Sequence, residues 1–136
     1  VIAIASPAGE AYQPRADVLR ECQAVAQESG GSVYVTQEAA EAAAGADIIY
    51  TDSWMSYHIP KEEEAARIET FKPYQVNQVL MQQAKPDALF MNCLPADRGR
   101  EQTAEVIDGP QSIIFDQAEN RLHAQKAVML KLLRAT

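Results

Sequence analysis

Cys93 stands in "FMNCLPADRGR" (90–100), between Asn92 and a Leu94–Pro95 pair, with Arg98 and Arg100 close behind. A thiol near cations can be ionised and reactive, whereas a lone cysteine more often serves as apolar packing. Two other segments carry groups of comparable chemistry. "TDSWMSYHIP" (51–60) holds Asp52, Ser56, Tyr57 and His58, and "DQAENR" (116–121) holds Glu119 and Arg121. Asp52 can bind a substrate ammonium, or cap the loop after its strand, a common role for Asp. Arg121 is read near the start of the last helix, the positive end of the macrodipole, where an arginine is disfavoured. It either pairs with a neighbouring acid or addresses an anionic or carbonyl oxygen. Trp54 and Tyr57 either wall a pocket or pack the loop. His58 and His123 are lone histidines, which suits surface or supporting positions better than metal ligation. "KEEEAAR" (61–67) reads as a solvated helical face.

Strands must deliver these groups. "VIAIAS" (1–6), "SVYVT" (32–36), "DIIYTD" (47–52), "DALFMN" (87–92) and "SIIFD" (112–116) are short apolar, largely β-branched runs that predict five strands. Between them lie helical stretches. "PRADVLRECQAVAQESGG" places residues 18, 19, 22, 25 and 26 on one apolar face and closes on Gly30–Gly31. That face takes Cys22 as packing. "QEAAEAAAGA" is a short Ala-rich helix, Pro73 opens a helix over 73–84, and a helical turn precedes Gly109–Pro110. The last helix presents 118, 122, 129, 132 and 133 along one side. Strands alternating with helices predict an α/β fold: a Rossmann-like parallel sheet of about five strands with helices on both faces. Ligands on such sheets sit beyond the carboxyl ends of the strands. The segments after strands three, four and five all end there, so Asp52, Ser56, His58, Cys93, Arg98, Glu119 and Arg121 are expected to converge.

Bulk properties narrow the function. The 136 residues suit one domain, with 47% hydrophobic and 23% charged residues. A formal net charge of −7 argues against nucleic acid and against an anionic membrane surface. No apolar run approaches the ~20 residues of a membrane helix, and no secretory leader pattern opens the chain. Cys22 and Cys93 form no CxxC or His/Cys cluster, which predicts reduced thiols in the cytoplasm rather than a disulfide or zinc site. An apolar run starting at Val1 reads as a processed chain or a piece of a longer one.

The segments "IASPAGEAYQP", "YTDSWMS", "FKPYQVNQVLM", "FMNCLPADRG" and "TAEVIDGPQSIIFDQAENRLHAQKAVMLKLL" occur in an order that resembles the second, amino-acid-binding domain of the ornithine-type carbamoyltransferases. Nearly the whole chain is covered, and "FDQAENRLHAQKA" is close to a signature of that family. The resemblance implies an ornithine-binding (C-terminal) domain over 1–136. It implies transfer of a carbamoyl group from carbamoyl phosphate to the side-chain amine of ornithine, giving citrulline and phosphate in arginine biosynthesis. It also implies a homotrimer in the intact enzyme and no metal or organic cofactor.

Carried over by motif, Cys93 lies beside the attacking amine and the Leu94 carbonyl accepts its hydrogen bond. Asp52 binds the α-amino group and pairs with Cys93, Ser56 belongs to the acceptor loop, and Arg121 helps hold carbamoyl phosphate. Two departures stand out. Tyr57–His58 replace the family's Met-Gly, and Asn92 replaces its usual His. Either can retune the acceptor toward acetylornithine or putrescine. The family's Ser-Thr-Arg-Thr-Arg phosphate loop, and the strand with its Gly-Asp-Gly-Asn turn, have no counterpart here, which predicts an incomplete domain that lacks the carbamoyl-phosphate half. The rival readings are a non-catalytic amino-acid-binding module and a flavodoxin-like nucleotide binder. The second is weak because no Gly-rich phosphate loop follows a strand.

Overall fold

The computed structural model describes residues 1–56 and 59–134. Among the described residues four strands form: β1 (Ile2–Ala5), β2 (Val33–Thr36), β3 (Ile48–Thr51) and β4 (Leu89–Asn92). The helices are α1 (Ala16–Glu28), α2 (Ala39–Ala43), α3 (Glu64–Phe71), α4 (Gln78–Met81), α5 (Ala104–Ile107) and α6 (Ile114–Arg134). The α/β character and parallel pairing agree with the sequence. The single five-stranded sheet does not. Among the described residues β1 pairs only with β2 and β3 only with β4, both parallel. Between the pairs lies a cavity of about 380 Å³, bordered by Ala3 and Ala5 of β1 and by Ile48–Thr51 of β3.

The expected fifth strand is reduced to one bridge. Phe90 N–H donates to Gln111 O (2.8 Å) and Ile113 N–H to Phe90 O (3.0 Å), bringing Ser112 beside Phe90. The chain then turns into α6 at Ile114. A short apolar run fits either a strand or a buried helical turn. Here Ile114 is buried and Phe115 is exposed. The helical periodicity that continues beyond them prevails. The helix expected over 73–84 also divides. Pro73 sits in a 3-10 turn (Lys72–Tyr74), and Val76 is then drawn into extended pairing with the 101–103 segment. Asn77 caps α4, its Oδ1 accepting Leu80 N–H at 3.0 Å.

The core gathers on the β3–β4 pair: Ala43, Ile49, Val76, Met81, Phe90, Val106, Ile107 and Ile114. It anchors the carboxyl ends of β3 and β4 firmly. The β1–β2–α1 layer is thinner. α1 ends as its glycines predict, with Gly30 at φ 73° and Gly31 N–H donating to Ala26 O at 2.7 Å. Its apolar side, however, leaves Val18 and Val25 exposed, and Cys22 is exposed rather than packed. The amphipathic side of α6 is likewise uncovered: Leu122, Met129, Leu132 and Leu133 are all more than half exposed. No helix among the described residues is long and apolar enough to cross a membrane.

Candidate functional site

The β3–β4 ladder pairs Thr51 with Asn92. Parallel register therefore carries the next residues, Asp52 and Cys93, out of the sheet side by side. The Cys93 thiol donates to Asp52 Oδ1 at 3.1 Å across 41 residues of chain. That carboxylate oxygen also accepts Ser53 N–H at 2.7 Å, which turns the loop away from the strand. Burial, and then the Asp52 carboxylate, push the Cys93 thiol above its ordinary range, and the Tyr50 hydroxyl opposes them. Near neutral pH Cys93 is thus a protonated thiol, a hydrogen-bond donor rather than a thiolate nucleophile. Tyr50 is itself raised by burial, against the Gln117 amide that donates to its hydroxyl at 3.2 Å.

The turn after Cys93 is built from inside. Asn92 is fully buried. Its Oδ1 accepts Leu94 N–H at 2.8 Å, and its Nδ2 donates to Gln102 Oε1 at 3.2 Å. Leu94 takes a left-handed φ of 54°, rare for a branched residue, and the Leu94–Pro95 peptide is cis. A left-handed leucine costs about 1–2 kcal/mol. The Asn92 hydrogen bond and the packing of the Leu94 side chain against the core hold it there.

Ser56 borders an open cavity of about 480 Å³ together with Asp52, Ser53, Lys61, Glu64 and Pro95. Ser56, Asp52 and the cysteine loop therefore share one depression. Tyr57 and His58 lie outside the described residues. Trp54 is buried and stacks on Phe71 (5.9 Å between centroids), so it both packs the loop and walls the neighbouring cavity.

Of the other expected members, Arg98 and Glu119 have partners of their own. Arg98 makes a two-pronged ion pair with Asp108 (2.8 and 2.7 Å) and is directed at α5, not at Cys93. Glu119 meets His123 at 3.5 Å along α6. Arg121 is not at a helix start, because α6 begins at Ile114 and places it about two turns in. It is exposed and makes no ion pair among the described residues. The "KEEEAAR" stretch is not merely a solvated face. Glu64 pairs with Arg100 at 2.6 Å. Arg67 Nε donates to Trp54 O at 3.0 Å, with its guanidinium 5.4 Å from the Tyr12 ring centroid and 5.3 Å from that of Phe71.

Arg67, Glu101 and Gln102 are not visible as functional residues in the sequence. In the string "REQT" nothing separates a buried polar pair from a solvated one. Among the described residues no cluster of three His, Cys, Asp or Glu could hold a metal ion.

The family described as aspartate/ornithine carbamoyltransferase, Asp/Orn binding domain, matches residues 1–132. The ornithine carbamoyltransferase of Bifidobacterium longum subsp. infantis is 54% identical over 128 residues, which cover 94% of this chain and 39% of that protein. That of Methanothermobacter thermautotrophicus is 52% identical, over 93% of this chain and 41% of its own length. Among solved structures, ornithine carbamoyltransferase from Pyrococcus furiosus superposes with a TM-score of 0.84 at 49% identity, covering 93% of this chain and 40% of that one. An N-acetyl-L-ornithine transcarbamylase variant complexed with PALAO reaches 0.75 at 32% identity, covering 89% and 37%. The chain thus spans about two fifths of the length of these relatives.

Proposed function

Because this chain belongs to the aspartate/ornithine carbamoyltransferase family, matching its Asp/Orn-binding domain, we propose that it is the ornithine-binding part of an enzyme that carbamoylates ornithine. The donor is carbamoyl phosphate and the products are citrulline and phosphate. The observation that carries this reading is the 3.1 Å contact between Cys93 and Asp52 at adjacent strand ends, beside the depression that holds Ser56.

The chemistry assigns roles. The side-chain amine has a pKa of about 10.4 and must lose a proton before it attacks. Its nitrogen then bonds to the carbamoyl carbon, the bond from that carbon to the phosphate oxygen breaks, and the departing phosphate takes up the proton that the nitrogen sheds. Asp52 holds the α-ammonium, and Ser56 and Tyr57 belong to the acceptor loop. The Leu94 carbonyl receives the amine's N–H, which orients its lone pair. Cys93, held as a thiol, is a donor beside the reacting groups, and no covalent thio-intermediate is required. Arg121, with no ion-pair partner among the described residues, helps hold carbamoyl phosphate, whose developing charge needs fixed donors. The other part of that site lies outside these 136 residues. A cytoplasmic homotrimer serving arginine biosynthesis completes the proposal.

A second acceptor is a specific alternative, favoured by the altered loop and by the likeness to an N-acetyl-L-ornithine transcarbamylase. Asn92 is fully buried, with both ends of its amide engaged within the protein. That supports placing acceptor choice on residues 56–58 rather than on Asn92. The test is a carbamoylation assay on the intact protein with ornithine, acetylornithine and putrescine in parallel. Ornithine preference is expected. Preference for another amine transfers specificity to the altered loop. Saturable amino-acid binding without turnover of any of the three replaces the enzyme by a binding module.

A further inference from the structure

Glu101 and Gln102 are adjacent, polar and buried, at 2% and 0% exposure. A buried carboxylate is costly unless it is hydrogen-bonded, so its partners matter. Glu101 Oε1 accepts the backbone N–H of Trp54 at 3.0 Å, a residue 47 positions away. Its Oε2 is buried with no partner among the described residues. Gln102 turns to the other loop. Its Oε1 accepts Asn92 Nδ2 at 3.2 Å and its Nε2 donates to Asp97 O at 2.8 Å. The alternation of an extended segment sends neighbouring side chains to opposite sides.

The backbone between them is fixed as well. Val76 N–H donates to Glu101 O at 2.9 Å, Thr103 N–H to Val76 O at 3.0 Å, and Gly99 N–H to Gln102 O at 2.8 Å. The far end of the Trp54 residue is held by Arg67. The middle of the Asp52–Ser56 loop is thus gripped at its N–H by Glu101 and at its carbonyl by Arg67. The Cys93 loop is gripped by the residue next to Glu101.

We propose that Glu101 is a positioning residue for the amine-acceptor site: through Trp54 N–H it sets the Asp52–Ser56 loop against the cysteine loop that Gln102 holds. It acts on substrate only through the loop. The acceptor atom, not the charge, does this work, so glutamine can replace it. Aspartate keeps the charge but falls one methylene short of Trp54.

The test compares Glu101→Ala, Glu101→Asp and Glu101→Gln in the intact protein. The first readout is the alkylation rate of Cys93, resolved from Cys22 by peptide mass mapping; it does not depend on the proposed reaction. The second readout rests on that reaction and splits KM for ornithine from KM for carbamoyl phosphate. Leaving the buried Trp54 N–H without its acceptor corresponds to a loss of roughly 5- to 150-fold. Alanine and aspartate are expected to raise the ornithine KM by about tenfold or more, with carbamoyl phosphate KM nearly unchanged and Cys93 alkylated several-fold faster. Glutamine is expected to stay near the unmodified protein in both.

If the alanine variant does not fold, the aspartate–glutamine pair carries the comparison. Glutamine as damaging as aspartate overturns the inference, and so does aspartate indistinguishable from the unmodified protein. Should the unmodified protein turn over no amine, the reaction reading fails, while the alkylation pattern still decides the role of Glu101.

Discussion

Replacing Asn92 tests whether a single buried amide organises the cysteine loop. The side chain is fully buried, accepts Leu94 N–H at 2.8 Å and donates to Gln102 Oε1 at 3.2 Å. Asn92→Ala removes two neutral hydrogen bonds, each worth about 1 kcal/mol net. It also leaves the Gln102 carbonyl buried without that donor, a further ~1–3 kcal/mol. Part of this is recovered if Leu94 relaxes from φ 54°. The expected loss is therefore about 2–4 kcal/mol, a large share of the roughly 5–15 kcal/mol typical of a domain.

In urea, with a slope of about 2 kcal/mol/M, the unfolding midpoint should fall by about 1–2 M with the slope unchanged. Asn92→Asp sharpens the test. It keeps an acceptor for Leu94 but turns a buried carboxylate toward Gln102 Oε1 and loses the donor. Near neutral pH it should be at least as damaging as alanine. Burial raises the folded-state pKa of such a carboxyl, so its penalty is present above that value and fades as the pH falls and the acid gains a proton to donate. A midpoint shift below about 0.3 M for alanine, or an aspartate variant milder than alanine at neutral pH, would refute the role given to this amide.

Two more outcomes are expected from the charges at and around the site. With a thiol-specific alkylating agent, exposed Cys22 should react before Cys93, whose thiol is kept protonated by burial and by Asp52. Asp52→Asn should bring the Cys93 thiol down and speed its alkylation without altering Cys22; an unchanged Cys93 rate would break the claimed coupling. Arg98→Ala should leave ornithine KM unaltered, because Arg98 is committed to Asp108. Arg98 holds the Asp108 carboxyl below its usual range. The pair's contribution is complete above the ordinary carboxylate pKa and is lost as pH falls through the lowered one. The melting-temperature gap between the unmodified protein and Arg98→Ala should therefore narrow on acidification into and below that range; a constant gap refutes it.

Much of the architecture was legible in local patterns. The apolar runs at 1–6, 32–36, 47–52 and 87–92 all contain strands, and α1 closes where Gly30–Gly31 stand. The placement of Asp52 and Cys93 at strand ends needed only the strands. The run at 112–116 misled because three apolar residues suit both periods, and the residues after it are helical. That error displaced Arg121 from the helix start to two turns within. The apolar stripes of α1 and α6 are also visible in sequence, but periodicity says which side is apolar, not what covers it.

Local sequence therefore settled β1 to β4 and α1, and that Asp52 and Cys93 follow the ends of β3 and β4. Tertiary structure alone decided their company. Ladder register put Asp52 beside Cys93, an ion pair took Arg98 out of the site, and burial turned Asn92, Glu101 and Gln102 into the frame of two loops. The reason is physical. Propensity and periodicity act over a few residues, whereas a buried hydrogen bond is set by whichever donor and acceptor the packed core brings together. Here those partners are ten to forty-seven positions apart.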